Sequence, residues 1–219
     1  MINQFIAACR NSLRYFVYGL TICVLLLIMA GAIKIAATTS YSELFRDITA
    51  SFEAPVYVGL FSQIGLILWS VAIGALLVGA LLTNSVRVEE DRGFLTYSLC
   101  LTILLAADDA FLIHESVFDS VLGLGERTAF GLYGIAILGY IFLFQKQLLE
   151  THFPLLLISL GLFAVSMLVD SLPALAGYTG RDAIFLLEDG AKLAGIVFWA
   201  LYQTLNVHGL IKRQLRLVS

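Results

Sequence analysis

The sequence predicts an all-α, polytopic integral membrane protein: six transmembrane helices bundled as one domain over residues 1–219, with both termini cytoplasmic. Three observations carry this prediction. Of the 219 residues, 60% are hydrophobic and 13% charged, with a mean hydropathy of +0.93, more apolar surface than one soluble core hides. Uncharged runs of membrane-spanning length recur between short charged segments. Lysine and arginine divide unevenly between the two sides that six spans create. One side holds Arg10, Arg14, Arg87, Arg92, Lys146, Lys212, Arg213 and Arg216, and the other Lys34, Arg46, Arg127 and Arg181. The positive-inside rule assigns the richer side, with both termini, to the cytoplasm.

The first span, 14–36, follows Arg10 and Arg14. Its apolar run exceeds a signal-peptide core of about 7–15 residues, so a retained helix is expected. The connection after it contains Ser42 to Asp47, which suits a short surface helix capped by Ser40 or Ser42. The second span, 56–84, offers Ser62, Gln63 and Ser70 as polar interior positions. Arg87 to Arg92 forms a charged loop before the third span, 93–115. The fourth, 128–145, is free of charge, and Gly131, Gly134 and Gly139 favour close helix contact. A turn over Lys146–His152 leads to the fifth span, 153–171, where Pro154 suits the first helical turn. Pro173 and Gly177 mark the following loop, and the sixth span is 184–208. Cys9, Cys23 and Cys100 are scattered and imply no disulfide framework.

The chemistry lies in Leu105–Ser116, where Asp108, Asp109, His114 and Glu115 interrupt an apolar run. Ionisable groups there are costly and mark a functional site by default. In the predicted topology the third span runs outward, so these four residues occupy its outer third. Asp170 ends the fifth span at the same level, and Glu188, Asp189 and Lys192 begin the sixth. If the third helix continues, Asp108, Glu115 and Asp119 fall on one line, with Asp109 and His114 flanking it. Glu188, Lys192, Gly195, Trp199 and Tyr202 make one stripe facing the interior.

Asp108, Asp109, Glu115, Asp170, Glu188 and Asp189 face only Lys192, six carboxylates against one ammonium, or about −5 if all ionise. Protons or a bound cation must offset that charge. A divalent metal (zinc, iron, manganese or magnesium) held by Asp108, Asp109, His114 and Glu188 would serve a hydrolase or transferase acting on a lipid. Glu115 or Asp170 would be its general base, and Asp189 and Lys192 a supporting charge network. A proton- or cation-coupled carrier and a structural subunit with a buried ion-pair network are the alternatives.

The expected surroundings are the lipid bilayer, with a lipid or small molecule as ligand. The net charge of −3 and the lack of a basic patch exclude nucleic acid. The chain's size and its lack of glycosylation sequons suggest a bacterial inner membrane. Asp189-Gly190-Ala191-Lys192 is similar to the opening of the CDP-alcohol phosphotransferase motif, but lacks its arginine and the two aspartates that should follow. The Asp108–Glu115 stretch resembles the zinc hydrolases that include alkaline ceramidases only in part, because one histidine stands where three are needed.

Overall fold

The computed structural model describes residues 2–45, 55, 57–83, 89–115, 118, 122–170 and 181–218. Arg46, Asp47, Arg87, Asp119, Pro173 and Gly177 lie outside the described residues. Among those described there is no strand, and the order is α1 (Ile2–Ala37), α2 (Tyr41–Phe45), α3 (Leu60–Thr83), α4 (Glu89–Phe111), α5 (Glu126–Leu143), α6 (Gln145–Glu150), α7 (Phe153–Asp170) and α8 (Arg181–Val218). Parts of α1, α3, α4, α5 and α7 are long and apolar enough to cross a membrane. Helix α8 falls outside that set because Gln203, Thr204, Asn206 and His208 lower its hydropathy.

Local chemistry explains the boundaries. Ser40 caps α2: its hydroxyl accepts the Glu43 N–H (3.3 Å), and the Glu43 carboxylate accepts the Ser40 N–H (3.1 Å) and the Thr39 hydroxyl. Gly59, at φ 69°, makes the left-handed turn into α3 and donates its N–H to the Glu43 carbonyl at 3.0 Å. Where a turn is expected between the fourth and fifth spans, residues 145–150 form α6, since Gln, Lys, Leu and Glu are all good helix formers. Pro154 sits in the first turn of α7 as expected.

The chain gathers into two compact units. One comprises Cys9–Leu68 and Pro154–Leu201. Within it α1 and α8 run antiparallel: Gly19 faces Phe198, Leu27 faces Gly190, and Lys34 forms an ion pair with Asp182. The Lys34 ammonium also lies 4.1 Å from the Tyr41 ring centre. Leu44 and Phe45 of α2 are buried with Ala30, Phe61 and Leu193, and the Phe45 and Phe61 rings stack at 5.0 Å. The short helix is therefore docked on its neighbours through its apolar side. Ser159 of α7 donates to the Gly195 carbonyl at 2.8 Å, and the Phe163 ring covers Gly195.

The other unit comprises Met1–Ala8, Trp69–Phe153 and Tyr202–Ser219. Its α4 and α5 run antiparallel, with Phe94 and Tyr97 stacked on Tyr140 near one end and Asp108 bonded to Tyr133 towards the other. Leu76, Leu95, Val207 and Leu210 form an apolar cluster, and Gly79 admits Val207 closely. Gly139 meets the Tyr97 hydroxyl, but among the described residues nothing lies within 4 Å of a Cβ at Gly131 or Gly134, so the expected close contact is made there at one glycine of the three. Ser70, expected inside, is exposed.

Two outcomes test this packing. A Cβ at Gly195 would lie 2.7 Å from the Phe163 ring. Gly195→Val is expected to lose about 1–3 kcal/mol of stability, read as a lower thermal midpoint in detergent, whereas Gly131→Ala is expected to lose none. The Thr39 hydroxyl and then the Ser40 N–H hold the Glu43 carboxyl below the usual glutamate range. A depressed carboxyl stabilises above its unfolded value, and that contribution is lost as pH falls through the folded value. Hydrogen exchange at Leu44 and Phe45, corrected for intrinsic rate, is expected to accelerate below about pH 4 in wild type. In Glu43→Gln it should show no such step.

Candidate functional site

The polar centre of the unit containing α4 and α5 is built on Asp108 and Asp109, consecutive residues of one helix that point about 100° apart. Both are buried, at 9% exposure. The Asp109 carboxylate accepts the indole N–H of Trp69 on α3 at 3.1 Å. Asp108 turns to α5 and to the chain that follows α4. Its Oδ1 accepts the Tyr133 hydroxyl and the His114 backbone N–H, both at 2.8 Å, and its Oδ2 lies 2.8 Å from His114 Nδ1. Asp108 thus accepts from a tyrosine hydroxyl and a backbone N–H, and the imidazole Nδ1 can donate a third bond.

His114 reaches Asp108 because α4 stops at Phe111. Leu112 takes a left-handed conformation at φ 49°, and residues 113–115 continue in a wider turn. A leucine there is strained by about 1–2 kcal/mol. The turn brings both the backbone N–H and the ring of His114 back onto one carboxylate, offsetting that strain. The expectation that the helix continues, placing Glu115 in line with Asp108, is thus corrected: Glu115 lies past the break. Its exposed Oε1 is 3.5 Å from His114 Nε2, and the Phe130 ring packs 5.1 Å from the imidazole.

The arrangement is a carboxylate–imidazole pair. With its proton on Nδ1, the ring donates to Asp108 and Nε2 faces the exposed Glu115. Such an imidazole accepts a proton at Nε2 while the carboxylate stabilises the cation that forms. The same orientation by a carboxylate is what a metal-bound histidine receives.

The remaining predicted residues belong elsewhere. Asp170 is exposed at the end of α7, and Glu188, Asp189 and Lys192 are half-buried on α8, all in the other unit. Of the three expected ligands in this unit, Asp108 and His114 meet while Asp109 turns to Trp69, and no group of three or more His, Cys, Asp or Glu among the described residues is arranged to hold a metal. On the α8 stripe Gly195, Trp199 and Tyr202 are buried as expected.

A family model described as "Domain of unknown function (DUF8692)" matches residues 17–205. The chain belongs to the DUF8692 family. The DUF8692 segment takes in Trp69, Asp108, Asp109, His114, Glu115 and Tyr133. No curated protein and no solved structure matches the chain.

Trp69, Phe130 and Tyr133 were not expected at the site. Tyr133 carried a signal, because it shares one face of α5 with Tyr140, seven residues on, and both are buried. Trp69 carried none, since tryptophan is ordinary in a spanning helix. Removing the Tyr133 hydroxyl from Asp108 is expected to cost about 1–3 kcal/mol. In a thermal-unfolding cycle, Tyr133→Phe and Asp108→Asn are expected to couple by about 0.5–3 kcal/mol, and additive effects would place the two side chains apart.

Proposed function

We propose that the protein is a six-span bacterial inner-membrane protein, with both termini cytoplasmic and α8 as the sixth span, that exchanges protons through Asp108 and His114 at its extracytoplasmic side as part of a proton-coupled carrier. The observation that carries the reading is the bond from His114 Nδ1 to Asp108 at 2.8 Å, with the exposed Glu115 beside Nε2. A buried carboxylate and an imidazole sharing one proton can load and release it against water through Glu115. The positive-inside distribution supports the orientation. Helix α8 can cross despite its polar residues because Gln203 and Asn206 are buried in protein.

A second reading keeps a divalent cation and a hydrolytic or transferase activity on a lipid. It rests on the 3.5 Å spacing of His114 Nε2 and Glu115 Oε1, close enough to share an ion, with Asp108 orienting the imidazole from behind. Further ligands would be water or substrate, and Asp170, Glu188, Asp189 and Lys192 would form a separate network.

In liposomes with an entrapped pH dye, wild type is expected to collapse an imposed proton gradient at least about tenfold faster than Asp108→Asn or His114→Ala, a difference of about 1.4 kcal/mol in barrier. Equal rates in wild type and both variants contradict the carrier reading. Stoichiometric metal in protein purified without chelators, lost in His114→Ala, supports the second reading.

A further inference from the structure

About 15 Å from Asp108 along α4, at Ser98, the same unit contains a second polar cluster with no charged member. Ser98, Tyr140, Tyr202 and Gln203 are fully buried, and Asn206 is 4% exposed. Ser98 and Tyr140 hydroxyls lie 2.7 Å apart, Tyr202 lies beside Tyr140, and the Tyr202 hydroxyl reaches Thr151 at 3.2 Å. The Gln203 amide sits beside the Tyr140 hydroxyl. Among the described residues, however, Gln203 Nε2, Gln203 Oε1 and Asn206 Nδ2 complete no hydrogen bond. Gln203 and Asn206, three apart, share one face of α8.

Buried amides left without partners are rare in folded proteins. The groups here also say what would satisfy them. Gln203 Oε1 needs a donor, and Gln203 Nε2 and Asn206 Nδ2 need acceptors. Exchanging the oxygen and nitrogen of Gln203 leaves the same requirement. A bare cation satisfies only the acceptor and a bare anion only the donors. The occupant therefore both donates and accepts, and nothing charged in the cluster selects an ion.

We propose that Gln203 and Asn206, with the hydroxyls of Tyr140 and Tyr202, form a buried site for a small neutral molecule that donates and accepts hydrogen bonds, either water or a solute bearing an amide or hydroxyl group. The site does not depend on proton exchange at Asp108. A hydrated site here gives this unit a second polar interior, about 15 Å along α4 from Asp108.

Hydroxyl-radical footprinting by X-ray radiolysis, on the full chain in nanodiscs, reads this directly, because water bound inside a protein labels the side chains it touches. Tyr140 and Tyr202 are as hidden from bulk solvent as Trp199. After correction for intrinsic reactivity, both tyrosines are expected to label at least threefold faster than Trp199. In Gln203→Leu with Asn206→Leu they should fall to the Trp199 rate. Suppression of wild-type labelling by excess acetamide identifies an organic guest, and unchanged labelling identifies water. Wild-type labelling of both tyrosines no faster than Trp199 overturns the proposal, whether or not the double variant folds.

Discussion

A carboxylate inside an apolar helix assembly has to have its oxygens filled where it stands, because water is not there to do it. Asp108 meets that requirement with a tyrosine hydroxyl, a backbone N–H and an imidazole. The local architecture follows. Helix α4 ends after Phe111 so that His114 can fold back, Leu112 takes up the strain of the reversal, and α5 presents Tyr133 at the matching level. Asp109, one residue on, is satisfied separately by Trp69, so two adjacent acids tie α4 to α3 on one side and to α5 on another. Asp108 meets a histidine whose far nitrogen faces the exposed Glu115, and Asp109 meets the indole of Trp69.

The second unit is held by a different device. Gly19, Gly190 and Gly195 let side chains of neighbouring helices come close, and the Ser159 bond to the Gly195 carbonyl adds a polar tie at one such point. Small residues and single hydrogen bonds suit a setting in which lipid competes for apolar surface. The Lys34–Asp182 pair closes the α1–α8 contact at one end, and its ammonium also lies against Tyr41, joining the short α2 to the same corner.

Much of the fold was legible because hydropathy over long windows reports spanning helices directly. Runs without charge placed α1, α3, α4, α5 and α7, and Ser40 was one of the two caps expected for α2. Asp108 and His114 stood out as candidates for the same reason, since charge in an apolar run is rare. Their pairing did not. Angular spacing on an unbroken helix sets His114 well away from Asp108, and nothing in Phe111-Leu112-Ile113 announces a left-handed turn, which a sequence signals by glycine or asparagine. Contacts between helices were equally hidden: Trp69 and Asp182 look ordinary until a partner is placed opposite. The α8 stripe, by contrast, could be read from spacing, because its buried positions lie on a single helix.

The account rests on the His114–Asp108 bond and on the proton of that pair lying on Nδ1. Nitrogen-15 NMR of ring-labelled histidine in bilayers, assigned with His114→Gln, measures it directly. At alkaline pH the account predicts that the His114 resonances show a protonated Nδ1 in a strong hydrogen bond and an unprotonated Nε2, a state lost in Asp108→Asn. A proton on Nε2, or identical spectra in wild type and Asp108→Asn, would contradict it.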